Sequence, residues 1–219
     1  MSSQIAQFLL TLSEVHKDGL DLHHFAEKRG SSKRRSTMPV TAYVYEFFIY
    51  NTLYSIDWNL TQAKEEISYY SDKKEGYKQQ EFENFLRKLA EDNPSILKKN
   101  FMLLKEIPED AFWIKVIPDS NITLESGEDF FLRLNQLIDL IKVTEPKLRA
   151  NMGSIFARIQ TCRLYIYYVR NNIFHGTKTL GKIGKPNQQK RIYKYHEFLK
   201  CLVSCFFDYA ETVPEFSFD

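Results

Sequence analysis

Apolar residues recur at a spacing of three or four along most of the chain, and this pattern predicts an all-α protein. The first predicted helix is amphipathic and spans Ser3–Val15. The same spacing predicts further helices at 59–70, 80–90, 93–104 and 127–143. The segment 112–117 could form a strand, but it has no obvious partner strand. Helices without a run of paired strands indicate a helical bundle.

The segment Thr41–Trp58 is dense in aromatic residues and predicts one buried helix that starts near Pro39. Proline is tolerated in a first helical turn. The aromatic and β-branched content leaves a strand possible, but the length favours a helix. Glu46 and Asn51 are the polar residues in its middle. Because buried polar groups need partners, we expect them either to bond to a neighbouring backbone or to line a site.

The longest continuous helical pattern runs from Lys147 to His175 and is followed by Gly176. Glycine adopts the left-handed conformation that ends many helices. A loop rich in glycine and lysine is predicted from Gly176 to Arg191, and a final helix from Tyr193 to Thr212.

Composition supports a single folded unit. The chain has 219 residues, of which 43% are hydrophobic and 15% aromatic, so it can bury a sizeable core. No internal repeat divides it. We therefore predict one all-α domain over residues 1–219, with an N-terminal helix and a basic loop in 1–38 and the bundle in 39–219.

The cysteine content and the absence of long apolar runs indicate where the protein is located, whereas its net charge says little about its function. The net charge of +2 is too small to imply a nucleic-acid partner, which only local clustering could indicate. Three cysteines do not make a disulfide framework, and the odd number suits a reducing compartment. The sequence shows no signal peptide, and no apolar run approaches the ~20 residues of a membrane helix. We expect a cytoplasmic protein without membrane contact.

The segment Arg170–Gly176 holds the candidate chemistry. Asn171 and His175 lie four positions apart and share a helix face, with Arg170 on its flank and Asn172 beside it. A fixed cation, two amides and an imidazole suit a phosphate and its proton transfers. The arrangement predicts a site for phosphate chemistry.

The Arg-to-His spacing alone is a weak signal, because Arg191 and His196 repeat it. There the apolar pattern continues past the histidine, so we interpret His196 as a helix-surface or packing residue. It lies near Cys201 and Cys205 in sequence, but a metal site would need more ligands at suitable spacing. We expect no metal and read the cysteines as core residues.

The predicted loop after His175 carries lysines and no acidic residue. Gly176–Ile183 nearly matches a phosphate-binding P-loop, but Ile183 replaces the required Ser or Thr and no strand precedes the loop. We therefore expect no nucleotide cofactor. Lys178, Lys182 and Lys185 suit contacts to an RNA backbone. A solvated loop is the alternative, and the two interpretations are compatible.

Two segments resemble the HEPN superfamily. Arg170–Gly176 reads Arg-Asn-Asn-Ile-Phe-His-Gly and is similar to the HEPN motif, in which an arginine is followed after four to six residues, often beginning with asparagine, by a histidine. Tyr45–Ser55 resembles the aromatic early helix of bacterial HEPN-like proteins, with its Asn-x-Leu-Tyr core. The resemblance implies a HEPN-type bundle with additional helices. It also implies a homodimer whose two protomers form one composite cleft.

The resemblance further implies a metal-independent endoribonuclease of a toxin–antitoxin or antiphage defence system. Arg170 would stabilise the charged phosphorane, His175 would act as general acid and base, and Asn171 would orient the histidine or the phosphate. The 2′-hydroxyl of the RNA would be the nucleophile, without any cofactor. Glu46, Asn51 and Asn172 are the expected supporting residues. RNA, a second copy of the chain and an antitoxin or other regulatory protein are the expected partners.

Two alternatives stay open. One is a catalytically silent HEPN module that binds a partner protein or a nucleotide. The other is an unrelated helical scaffold protein.

Overall fold

The protein is all-α over the residues that the computed structural model describes, as predicted. These residues are 7, 9–18, 21, 38–53, 85–89, 92–105, 130–174 and 185–212, and no strand occurs among them. Several predictions fall outside these ranges, namely the basic loop within 1–38, the helix at 59–70, the possible strand at 112–117 and the loop residues 176–184.

The described helices are numbered in chain order. They are α1 (residues 9–18), α2 (Met38–Leu53), α3 (residues 85–89), α4 (Pro94–Phe101), α5 (Phe130–Ile141), α6 (Glu145–Ala150), α7 (Met152–Phe174) and α8 (Pro186–Ala210). Proline lies in the first turn of α4, α6 and α8. At that position its missing N–H breaks no helical hydrogen bond. Within the described part of the chain, no helix is both long and apolar enough to cross a membrane.

The prediction of a single long helix from Lys147 to His175 is wrong, because Asn151 interrupts it between the end of α6 and the start of α7. The N–H of Asn151 bonds to the carbonyl oxygens of Lys147 and Leu148 at 3.0 and 3.1 Å, and its own carbonyl accepts the N–H of Ile155 at 3.0 Å. Hydrogen bonding therefore continues across the junction of α6 and α7. An interruption at one residue leaves the apolar spacing intact, so the sequence pattern does not reveal it.

Two other predicted boundaries are wrong. α4 ends at Phe101 instead of Leu104, although Leu104 remains buried. α8 begins at Pro186, so residues 186–191, which were predicted as loop, are helical. The first turn of α8 is polar, and apolar periodicity cannot detect such a turn. Arg191 belongs to the helix and is buried, with its guanidinium carbon 5.8 Å from the ring centre of Phe131.

α8 is the central helix of the core and packs against α2 and α4, while α5 packs against α7. On α8, Phe206 stacks on Phe85 with ring centres 3.9 Å apart, and Phe198 contacts the rings of Phe101 and Phe130. All five of these phenylalanines are fully buried, and each contributes about 1.5–3 kcal/mol by leaving water. The aromatic residues thus form the centre of the bundle.

The three cysteines are buried and unbridged, in agreement with their interpretation as core residues. Cys162 lies in α7, whereas Cys201 and Cys205 lie one turn apart in α8. Burial raises the pKa of the Cys201 thiol to about 12, and it raises the pKa values of Cys162 and Cys205 further above the ordinary range. Such thiols stay protonated and act as small apolar side chains.

Candidate functional site

α2 and α7 are joined by a buried hydrogen bond. The hydroxyl of Tyr43, which has no exposed surface, donates to the carbonyl oxygen of Ile166 at 2.9 Å. Burial raises the pKa of Tyr43 well above its usual range, and the positive charge of Arg170 opposes this only in part. Tyr43 is therefore a constant donor that fixes the position of α2 against α7.

One turn beyond that bond, Phe47 of α2 lies under Arg170 of α7. The guanidinium carbon is 5.6 Å from the centre of the Phe47 ring, a distance that permits a cation–π contact. The two pairs, Tyr43 with Ile166 and Phe47 with Arg170, follow each other in the same direction along both helices. Their order shows that α2 and α7 run parallel here, with the hydrogen bond one turn before the arginine.

Arg170 also bonds to its neighbour in the chain. Its Nη1 donates to Oδ1 of Asn171 at 2.8 Å, and both side chains are partly buried. Arginine has only donors, so this contact fixes the amide of Asn171 with its oxygen towards Arg170. The amide nitrogen of Asn171 is then the donor that the side chain presents to other groups.

Arg170 lies at an open groove of about 400 Å³. The groove is lined by residues of α1, α2 and α7, namely Val15, Val44, Tyr45, Phe47, Phe48, Asn51 and Arg170. Among the lining residues that the structure describes, Arg170 is the one charged residue and Asn51 is the one amide. Phe48 is 67% exposed and Tyr45 is 44% exposed, so two aromatic side chains of the groove face solvent. The single buried helix predicted for this segment is thus buried on one side only.

Glu46 lies in a separate, buried cluster with two histidines. Its carboxylate is fully buried, with Oε1 2.7 Å from Nδ1 of His16 and Oε2 3.7 Å from Nε2 of His196. Nε2 of His16 lies 3.4 Å from the hydroxyl of Ser204. Burial alone would raise the pKa of Glu46, but its contacts with the two histidines, together with their charges, lower the pKa below its ordinary value. The cluster joins α1, α2 and α8.

This cluster changes the interpretation of two residues. Glu46 pairs with side chains of other helices and not with neighbouring backbone. His196 is completely buried beside a carboxylate, so of its two predicted roles the packing residue is confirmed and the helix-surface residue is wrong. Both imidazoles come from helices distant in sequence, which is why spacing along α8 could not reveal the contact.

The structure brings together only part of the predicted site. Arg170 and Asn171 are bonded, and Asn51 lines the same groove as Arg170. Glu46 faces the histidine cluster, and Lys185 is exposed at the residue before α8. The remaining predicted residues, His175, Lys178 and Lys182, and the side chain of Asn172 lie outside the described part of the protein.

Among the residues that line the groove, Asn51 and Arg170 were predicted as site residues from the sequence, whereas the aromatic residues were not. Tyr43, Phe47 and Asn51 follow one another at intervals of four, a spacing that could have marked one face of α2. Aromatic residues on every side of that helix concealed the face. Tyr45 and Phe48 therefore became recognisable as exposed residues only in the structure.

No group of three or more histidine, cysteine, aspartate or glutamate side chains within the described ranges is arranged to hold a metal ion. The chemistry that these residues offer is that of a guanidinium, two amides and exposed aromatic rings. No family model, curated protein or solved structure was found to match this chain.

Proposed function

We propose that the protein is a metal-independent endoribonuclease of HEPN type that acts in toxin–antitoxin or antiphage defence. The observation that carries the proposal is the placement of Arg170. Its guanidinium is held between Phe47 and Asn171 beside an open groove, five positions before His175. The proposed location is the cytoplasm, where three thiols stay reduced.

In the proposed reaction, a histidine takes the proton of the RNA 2′-hydroxyl, whose oxygen attacks the adjacent phosphorus. The bond to the 5′-oxygen breaks, that oxygen receives a proton, and a 2′,3′-cyclic phosphate remains. Arg170 stabilises the charge that develops on the phosphoryl oxygens. Because the oxygen of Asn171 already faces Arg170, its amide nitrogen is the group that would donate to the phosphate or to His175.

A homodimer would supply two histidines, one as base and one as acid. The outer face of α7 offers a candidate contact surface near Arg170. Leu164, Tyr167 and Tyr168 are 37%, 36% and 44% exposed, and Leu164 and Tyr168 lie one turn apart. Pairing this face with a second copy would bury these side chains and bring two Arg170-to-His175 segments together. An antitoxin or another regulatory protein would then act by covering the cleft.

The test is RNA cleavage in EDTA by the purified protein and by Arg170→Ala and His175→Ala variants. We expect the wild type to leave 2′,3′-cyclic phosphate ends. Loss of the arginine should lower the cleavage rate by about 10²–10³-fold, and loss of the histidine by about 10²–10⁴-fold. Arg149→Ala is the matched control, because Arg149 is 52% exposed on α6 and pairs with Glu145. Intact RNA with the wild type, or equal cleavage by the Arg170→Ala variant, would contradict the proposal.

A second candidate is a silent HEPN module that binds a nucleotide or a partner protein. The exposed Tyr45 and Phe48 beside the groove favour it, because binding alone would also account for them. RNA or nucleotide binding without any cleavage by the wild type would select this candidate.

A further inference from the structure

We infer that the groove lined by Tyr45, Phe48, Asn51 and Arg170 is a subsite for one nucleobase of single-stranded RNA. The base would stack on the exposed aromatic side chains, and its neighbouring phosphate would lie at Arg170. The inference rests on the proposed function for the identity of that phosphate. The inference goes beyond the proposed function because it specifies a single-stranded substrate and the residues that bind one of its bases.

The aromatic residues of α2 divide into two sets. Tyr43, Phe47 and Tyr50 are buried and build the core. Tyr45 and Phe48 are exposed, and because they lie three positions apart they project to the same side of the helix. Proteins that bind single strands combine cationic groups with exposed aromatic rings on which unpaired bases stack, and this side of α2 beside Arg170 offers both.

The polar groups of the groove match the polar parts of a nucleotide. The guanidinium of Arg170 suits a phosphate oxygen, and Phe47 beneath it holds its position. The amide of Asn51 carries both donors and an acceptor, as the edge of a base requires. The apolar remainder, including Val15 and Val44, suits a ring that has left water.

The size and shape of the groove favour a single strand. A volume of about 400 Å³ falls in the range of small-molecule sites. Bases in a duplex are stacked and paired, so their faces cannot reach an aromatic side chain, whereas unpaired bases can turn outward. The groove should therefore bind single-stranded RNA more tightly than duplex RNA.

Binding can be measured with the full chain and a short single-stranded 2′-O-methyl oligonucleotide that carries 2-aminopurine. This probe lacks the nucleophilic hydroxyl and stays intact. We expect stacking to quench its fluorescence on binding to the wild type. Phe48→Ala and Tyr45→Ala should each raise the Kd about tenfold and restore fluorescence. The duplex of the same sequence should bind more weakly than the single strand.

Two further substitutions separate stacking from apolar contact. Phe48→Tyr keeps an aromatic ring and should bind as the wild type does, whereas Phe48→Leu keeps apolar bulk and should bind as Phe48→Ala does. Leu132→Ala is the control, because Leu132 is 54% exposed on α5 and lies outside the groove lining. Phe48 is so exposed that its removal leaves the core intact, which circular dichroism can verify.

The outcomes distinguish this inference from the proposed function. Suppose that the wild type cuts RNA and that Phe48→Ala and Phe48→Leu have the wild-type Kd for the probe, the wild-type quenching and the wild-type KM for cleavage. The base subsite is then refuted, and the nuclease stands. If the wild type cuts no RNA yet loses quenching with Phe48→Ala, the subsite stands and the nuclease is refuted. A wild type that does not bind the probe refutes the subsite, and groove variants that lose only a protein partner assign the groove to that partner.

Discussion

Replacing Glu46 with alanine removes the carboxylate that lies between His16 and His196 and leaves two imidazoles in the interior without it. The carboxylate and the His196 side chain have no exposed surface, and the His16 side chain is 8% exposed. Removing one partner of a buried ionic pair typically costs about 3–5 kcal/mol of the free energy of unfolding. For a chain of this size, each kcal/mol lowers the Tm by about 2–4 °C. The expected decrease in Tm is thus about 6–20 °C.

Glu46→Gln tests the charge separately from the shape. Glutamine keeps the volume and one acceptor oxygen but loses the negative charge, so we expect a loss of about 1.5–3 kcal/mol, the value of a hydrogen bond to a charged group. Urea unfolding followed by circular dichroism measures both variants. Glu145→Ala is the control, because Glu145 is 59% exposed in its pair with Arg149 and should cost less than about 1 kcal/mol.

The pH dependence of stability tests the direction of the pKa shift of Glu46. The folded-state pKa of Glu46 lies below its ordinary value of 4.5, so the ionised carboxylate stabilises the folded state above that pH. As the pH falls through the lower folded pKa, this contribution is lost. The stability difference between wild type and Glu46→Gln should therefore be present at pH 5 and shrink towards pH 3. A Glu46→Ala variant no less stable than Glu145→Ala, or a difference that grows in acid over this interval, would refute the buried pair.

Three further predictions concern Tyr43, Phe47 and the buried cysteines. Tyr43→Phe removes the bond to Ile166 and should cost about 0.5–1.5 kcal/mol in urea unfolding, with a lower cleavage rate because Arg170 loses its fixed position; an unchanged rate would contradict that role. Phe47→Leu removes the ring under Arg170 and should raise the Kd for the single-stranded probe, unlike Leu132→Ala. The three buried cysteines should resist Ellman's reagent at pH 8 in the folded protein and react in urea, and rapid labelling without urea would show that they are accessible.

The fold class followed from apolar periodicity because the buried faces of these helices are regular. Leu9 and Leu12 of α1, and Phe85, Leu86 and Leu89 of α3, recur at the helical spacing from which these helices were predicted, and all five are buried. Apolar periodicity predicts which side of a helix is buried, but it cannot detect a helical turn that contains only polar residues. The start of α8 at Pro186 was missed for that reason.

The candidate site was predictable only where its residues are neighbours in sequence. Arg170 and Asn171 follow each other, so one segment placed both in the site, although the hydrogen bond between them was not predicted. The approach of Phe47 to Arg170, and of His16 and His196 to Glu46, depends on how separate helices pack. Nothing in the local sequence specifies such pairings, because they are set by the register between helices.

The groove and the histidine cluster are coupled through α1 and α2. Val15 lines the groove and is followed in α1 by His16, which pairs with Glu46, while Glu46 lies between Tyr45 and Phe47 in α2. Weakening the cluster should therefore loosen one wall of the groove as well as the core. Glu46→Gln should lower stability and raise the Kd for the single-stranded probe together, whereas Phe48→Ala should raise the Kd alone. If Glu46→Gln lowers stability but leaves binding unchanged, the two regions are independent, and the groove is shaped by α2 and α7 without α1.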